Sequence, residues 1–500
     1  MIDFLKEHVA KKPVSFHMPG HKGAEFFRKY GYGKEISRLV DWDITEIAGA
    51  DNLFQPKGII LETQKRYARL YDVAHSYLLV NGTSGGLMAA VMAAAPRGSS
   101  IIVARNCHKS IINGLILGGI QPVYAYPQVD SIWGICSQVS VEEIQRCLEQ
   151  CPEAKAVVLP SPNYYGICSD IEAIVKLVHS YNKILIVDQA HGAHLHFLKK
   201  YTSEDGESLP DLPPSAESCG ADIVVNSTHK TLASLTQSAV LNLQGERVNR
   251  LVLEERLSRV ESTSPSYILM AMLEINRRII EEYGKVIFSA WKENLLEFYA
   301  QAKEISQLKV MEPARLFDWT KINMAVGGVA ADGATDNSMV DGRLLDKALR
   351  GKNIFSELYT GDLVMCMTGI GTTTDDLNKL LAGLKDICDH RATGSTGNHN
   401  TAPISHGNPC TERINMAAQI TGAGVGQVHS IPQETQYVSM EEAAGKICAG
   451  AVIPYPPGIP LCCPGEVITE DVMGVCKDMR SRGEKVMGIT DTNEVLVGKE

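Results

Sequence analysis

The chain has 500 residues, a formal net charge of −10, 44% hydrophobic residues and 21% charged residues. Such a composition fits a soluble globular protein of roughly two to four domains. It argues against nucleic-acid binding as the main role, because phosphate backbones call for basic patches. The 13 cysteines are scattered without a CxxC pair, which points to free thiols in a reducing cytoplasm rather than a disulfide framework. No signal peptide and no apolar run of membrane-spanning length is found, so a cytoplasmic protein with no membrane partner is expected.

From residue 76 short apolar strands alternate with amphipathic helices. SYLLV (76–80) reads as a strand, followed by the loop NGTSGG and the helix LMAAVMAAA. SIIVA (100–104) and PVYAY (122–126) are strands separated by the helix CHKSIINGLILGG. Capping boxes, Ser140 with Glu143 and Ser169 with Glu172, are predicted to open the next two helices. AVVLP (156–160), KILIVD (183–188), ADIVVN (221–226) and SAVLNL (238–243) complete the strands. Continuous apolar strands separated by helices predict an α/β domain with a mostly parallel sheet covered on both faces. The expected division is an N-terminal segment (1–75), a major domain (76–305) and a small α+β domain (306–390), then a linker (391–402) and a C-terminal domain (403–500).

In such sheets ligands bind at the carboxyl ends of the strands, and the unusual residues fall there. The first strand runs into Asn81-Gly82-Thr83-Ser84-Gly85-Gly86 at the start of a helix. This is either a phosphate cup built on the helix N-terminus or a glycine-rich turn with a hydroxyl cap. His108 opens the next helix, as a cap or as a ring that stacks on a flat ligand. Asp188 ends a buried strand, where a carboxylate needs a partner. That partner is a protonated ring nitrogen or, with His191, His194 and His196 following, a metal. These histidines do not share a helix face and no acidic cluster accompanies them, so metal is the weaker reading. ADIVV leads into Ser227-Thr228-His229-Lys230, either a solvated polar loop or hydroxyls and a lysine poised for Schiff-base chemistry. The ordered set of anion loop, ring partner, strand-end carboxylate and lysine is what pyridoxal phosphate requires.

The stretches SFHMPGHKG (15–23), LLVNGTSGG (78–86), ARNCHKSI (104–111), VDQAHGAHLHF (187–197), STHKTLASLTQS (227–238) and YPPGIPLCCPGE (455–466) resemble the group III pyridoxal-phosphate decarboxylases, the ornithine/lysine/arginine decarboxylases. The resemblance runs over nearly the whole chain and is closest to the short, biosynthetic arginine decarboxylases, with no room before HMPGHKG for an extra receiver-like domain. It implies the fold-type I architecture of aspartate aminotransferase and decarboxylation of a basic amino acid, with arginine, lysine and ornithine all open. It implies Lys230 as the Schiff-base lysine, Asp188 on the pyridine nitrogen and His108 stacked on the ring. Thr83, Ser84, Gly85, Ser227 and His229 would hold the phosphate, and His191 would lie beside the cofactor or substrate. His17, Asp51 and Glu466 would line the substrate side, from the same or a partner subunit, since such sites form at homodimer interfaces. Asn52 stands where relatives commonly have a second acidic residue. The alternatives are an aminotransferase or oxidative decarboxylase on the same fold, and an inactive regulatory homologue.

Overall fold

The computed structural model describes residues 10–12, 14–16, 19–37, 39–47, 49–202, 211–329, 335–392, 430–455 and 458–499. At its centre is a seven-stranded sheet of β1 (His75–Leu79), β2 (Ser100–Ala104), β3 (Gln121–Ala125), β4 (Ala156–Pro160), β5 (Ile184–Asp188), β6 (Ile223–Asn226) and β7 (Ala239–Leu243). Their order across the sheet is β1-β7-β6-β5-β4-β2-β3. Only β7 runs against its neighbours, so the mostly parallel sheet expected from the sequence is present. One apolar cluster covers one face, with Leu79, Val103, Val158, Ile186 and Val225. A second covers the other, with Ile102, Val157, Leu185, Val187 and Val224. Alternate residues of each strand therefore supply opposite faces, and burial on both sides explains why these strands read as continuous apolar runs.

Five helices matter for the site: α1 (Gly82–Ala94), α2 (Lys109–Gly118), α3 (Val141–Gln150), α4 (Ile171–Ser180) and the single turn α5 (Thr228–Thr231). Ser140 caps α3 by accepting from the Glu143 N–H. The Glu143 side chain does not close the predicted box; it accepts from the Tyr126 N–H and from Arg146. The box predicted at Ser169 is displaced by one residue. Asp170 caps α4 through the Ala173 N–H, because the Ser169 hydroxyl is already taken by the Val139 N–H.

Beyond the large sheet, a 36-residue helix, α6 (Tyr267–Ala302), leads to a smaller antiparallel sheet whose longest strand is β8 (Lys321–Val329). One apolar cluster joins the N-terminal segment (Phe16, Tyr67), α6 (Trp291, Phe298) and the small sheet (Ile322, Met365). Residues 440–497 carry a cluster of their own around Met440, Cys476 and Val497. Most of the predicted linker lies outside the described residues. Among the described residues no helix is long and apolar enough to cross a membrane.

The N-terminal segment pairs Val14 and Ser15 with Ile354 and Phe355 and then runs against the turn that carries Lys230. The Gly20 N–H donates to the His229 carbonyl at 2.9 Å, and the Gly371 N–H donates to the Gly20 carbonyl at 3.0 Å. A Cβ at Gly20 would stand 2.4 Å from the Thr231 carbonyl carbon, so only glycine lets this segment lie against the turn that carries Lys230.

Candidate functional site

Sheet register gathers the polar strand ends at one edge. Asp188 pairs with Pro160 on one side and Val225 on the other, and Asn226 lies against Val240. β6 therefore delivers Ser227 and α5 beside the end of β5. Lys230, on α5, places its Nζ 2.8 Å from His191 Nε2. Burial draws the Lys230 ammonium down from its ordinary value to about 8, with Asp188 and Glu357 opposing and Lys321 adding to the shift. An amine in that state is a far better nucleophile near neutral pH than an exposed lysine.

Asp188 is buried, and burial raises its carboxyl above the usual range, partly offset by Lys230 and by the Ala190 N–H. That N–H reaches Asp188 Oδ1 at 3.1 Å. Burial also holds His191 well below the ordinary imidazole value, with Lys230 and Lys321 adding to it. The His191 Nδ1 is buried and has no hydrogen-bond partner among the described residues. The Tyr164 ring packs against His191 at 4.5 Å between centroids, and its hydroxyl donates to Glu357 at 2.7 Å.

The loop after β1 turns at Gly82, whose φ of +68° is left-handed. It brings Thr83 Oγ1 within 3.1 Å of Ser227 Oγ. Thr83, Ser84, His108, His229 and Lys230 are all half-buried, as groups facing a pocket are. The first-turn N–H groups of a helix have no intrahelical acceptor and carry the positive end of its dipole. The Gly85 N–H is already donated to the Asn81 carbonyl, so it does not add to that anion site as expected from the sequence; the open amides are those just before it. His229 Nδ1 bonds the Ser238 carbonyl at 2.9 Å. His108 caps α2, with its Nδ1 2.8 Å from Ser110 Oγ. Burial pulls both histidines down to about 4, so both rings are neutral at pH 7.

Pyridoxal phosphate fits this set on three observations. The hydroxyl pair sits at a helix N-terminus, the Asp188 carboxylate is buried and raised by that burial with Lys230 only partly offsetting it, and His191 keeps an orphaned polar atom among the described residues.

Other expected residues are engaged within the fold or lie outside the described residues. The Asp51 carboxylate, with φ +72°, takes the N–H groups of Asn52, Lys57, Gly58 and Ile60. Although burial pushes it up, these bonds hold it below the usual carboxylate value. It anchors its own loop and does not present a free carboxylate to a substrate. Glu466 is also engaged: its Oε2 accepts from Arg105 at 3.1 Å and from the Cys463 N–H at 2.8 Å. Arg105 further donates to the Pro460 and Leu461 carbonyls, clamping the C-terminal segment onto the end of β2. His17 lies outside the described residues. His191, His194 and His196 diverge: His191 meets Lys230, His194 meets Asp318 and Thr231, and His196 packs on Tyr71 and Phe197.

Sequence reasoning passed over Arg105, Tyr164, Glu357 and Glu261. Glu261 accepts from the Val80 N–H at 3.2 Å, just behind the Thr83 loop, while its Oε1 is buried without a partner among the described residues. It also lines a cavity of about 770 Å³ with Gln64, Arg250 and Glu254, which contains none of the strand-end residues. Burial raises the Glu261 carboxyl to about 7. The folded state therefore holds this proton more tightly than the unfolded chain, and stability is lost as pH rises from the ordinary value near 4.5 through about 7. Glu261→Gln is expected to raise the melting temperature at pH 8, by ~2 kcal/mol of stability, and to change it little at pH 4. A calorimetric melt at the two pH values checks this.

The major-domain model of the Orn/Lys/Arg decarboxylases matches residues 1–316, and the model of their C-terminal domain matches residues 415–486. An arginine decarboxylase of Bacillus anthracis is 30% identical, over 97% of this chain and 94% of that protein. The uncharacterized protein YaaO of Bacillus subtilis is 33% identical, over 93% and 91%. The solved constitutive lysine decarboxylase of E. coli superposes with a TM-score of 0.70 at 20% identity, over 96% of this chain and 79% of that one. This likeness shows the fold-type I architecture expected from the sequence. The chain belongs to the Orn/Lys/Arg decarboxylase family and is a decarboxylase of basic amino acids.

Proposed function

We propose that the protein decarboxylates L-arginine to agmatine, with pyridoxal phosphate bound at the strand-end site. The observation that carries the chemistry is the Lys230 amine, held against His191 at the strand end that Asp188 closes and drawn down to about 8 by burial. Arginine is favoured over lysine because the relatives named arginine decarboxylase are about 30% identical over nearly the full chain, whereas those named lysine decarboxylase are 22–23% identical.

In this reading Lys230 attaches the cofactor through its amine. Thr83, Ser84, Ser227, His229 and the N-terminus of α1 hold the phosphate. His108 would pack against the ring, and Asp188 would keep a ring nitrogen protonated. When bound, the cofactor supplies the sink for the electrons of the Cα–carboxylate bond. His191 keeps Lys230 Nζ in place, and Tyr164 packs His191 from its other side. A proton must then return to the substrate Cα. With His108 lowered to about 4 and Lys230 to about 8, Lys230 Nζ is the group that holds a proton at pH 7, and we assign it that transfer.

The domain division given above, a homodimer and a cytoplasmic location belong to the same reading. Exposed Ile44, Ile47 and Ile59 flanking the Asp51 loop support a subunit contact there. The described cysteines are all free, which suits a reducing compartment. The reading is tested by supplying L-arginine, L-lysine and L-ornithine in parallel to cofactor-loaded protein and measuring carbon dioxide and amine. Arginine is expected to lead in kcat/KM by at least ~10-fold, about 1.4 kcal/mol of discrimination. A lead for lysine or ornithine refutes the substrate assignment. Release of a keto acid in place of carbon dioxide refutes the reaction.

A further inference from the structure

Behind Lys230 lies a buried ionic cluster that the sequence analysis did not foresee. His194, Asp318, Thr320 and Lys321 are all fully buried. Asp318 Oδ1 accepts from Thr320 Oγ1 at 2.7 Å and lies 3.1 Å from His194 Nε2, while Oδ2 contacts Lys321 Nζ. Such a group is costly to bury and is not in itself a stabilising device, since an apolar replacement of similar volume is often as stable.

Its two ends are specific. His194 Nδ1 lies 3.1 Å from the hydroxyl of Thr231, the residue after Lys230. Lys321 Nζ donates to the main-chain carbonyl of His191 at 2.6 Å. The His191 side chain then meets Lys230 Nζ at 2.8 Å. The contacts close a ring: Lys230, Thr231, His194, Asp318, Lys321, His191 and back to Lys230. Gly166, at φ +94°, seals the outer side, where a Cβ would stand 2.7 Å from the Asp318 carbonyl oxygen and 3.1 Å from Lys321 Cδ.

We infer that Asp318, Lys321 and His194 are positioning residues of the decarboxylation site, fixing Lys230 and His191 against each other through this closed ring. The inference rests on the assignment of Lys230 as the cofactor lysine. Because Lys321 opens β8, the ring also ties the small sheet to the reactive end of the large one. Asp318 sits below the ordinary carboxylate range: burial pushes it up, and His194 and Lys321 more than offset that. The Asp318 anion is therefore maintained at neutral pH. Lys321 also helps keep the Lys230 ammonium low.

The test uses two variants. The double substitution Asp318→Asn/Lys321→Met removes both charges at nearly constant volume, leaving no lone ion buried. Thr231→Val opens the ring without touching a charge. The first readout is the pH midpoint for labelling of Lys230 by an amine-reactive reagent in the cofactor-free protein, read by peptide mass spectrometry. The groups facing Lys230 (Asp188, Glu357, His108, His191 and His229) are unchanged in both variants. Loss of Lys321 should raise the midpoint by about one unit, roughly a fivefold fall in labelling at pH 8. The second readout is the dissociation constant for pyridoxal phosphate, expected to rise ~10-fold in the double variant and ~3-fold in Thr231→Val. Wild-type values for both readouts in a folded double variant overturn the inference. If the double variant does not fold, the dissociation constant of Thr231→Val decides alone, and an unchanged value overturns it. If wild-type protein carries the cofactor on another lysine, it is the assignment of Lys230 that fails.

Discussion

Lys230→Ala is expected to lower decarboxylation by roughly 10⁴-fold or more, the scale on which removal of a covalent group acts, while the protein still folds. The fold argument is electrostatic. A lysine whose folded value falls from 10.5 to about 8 is disfavoured in its charged form by the native state. The unfolded chain binds the extra proton between those values, so the penalty is fully present below about pH 8 and fades as pH rises toward 10.5. Alanine removes the penalty along with the charge, and α5 keeps its main-chain bonds to Ser227 and Gly20. The melting temperature of the cofactor-free variant at pH 7 is expected to match or exceed that of wild type. A variant that unfolds at room temperature, or one that keeps more than about a hundredth of the activity, contradicts this account.

Asp188→Asn is expected to cost about 10²–10³-fold in kcat, the range seen when one electrostatic partner of the reacting group is removed. Asparagine has the same shape, and its carbonyl can accept the Ala190 N–H as Asp188 Oδ1 does. What it lacks is the charge that holds a proton on a ring nitrogen. Burial raises the Asp188 carboxyl in the cofactor-free fold, so its native penalty grows as pH rises past the ordinary carboxylate value. The asparagine variant without cofactor should therefore melt no lower than wild type at pH 7. With cofactor, the order should reverse, because only the carboxylate gains a cationic partner. Calorimetric melts of both proteins with and without pyridoxal phosphate, alongside steady-state rates, test the two halves separately.

The architecture was legible because its signals are local. Strands buried on both faces read as runs such as SIIVA and AVVLP, and β2 and β4 occupy those residues. The strand-end rule then led to Thr83, His108, Asp188 and Lys230, which the register brings to one edge. Groups whose partners are distant in sequence were harder to read. Asp51 looked like a substrate carboxylate, but its six-to-nine-residue reach forward to Lys57, Gly58 and Ile60 is a property of the folded loop. Glu466 was expected on the substrate side, but its bond to Arg105, 361 positions away, could not be read from the sequence. Lys321 did leave a trace, as a lysine opening the largely apolar strand KINMAVGGV. A buried cation there demands an anion, and Asp318 lies three residues earlier. His194 could have been joined to them only by knowing the fold.

Three lysines are drawn into the interior near this site: Lys22, Lys230 and Lys321. Lys22 is also lowered to about 8 by burial, so a depressed value alone does not single out the reactive amine; geometry does. The most direct measurement is to load the protein with pyridoxal phosphate, reduce it with borohydride so that the lysine linkage becomes permanent, and map the modified peptide by mass spectrometry. The account predicts the added mass on Lys230 in the peptide containing STHKTLASL. Modification of Lys22 or Lys321, or a protein that takes up no cofactor, would contradict it.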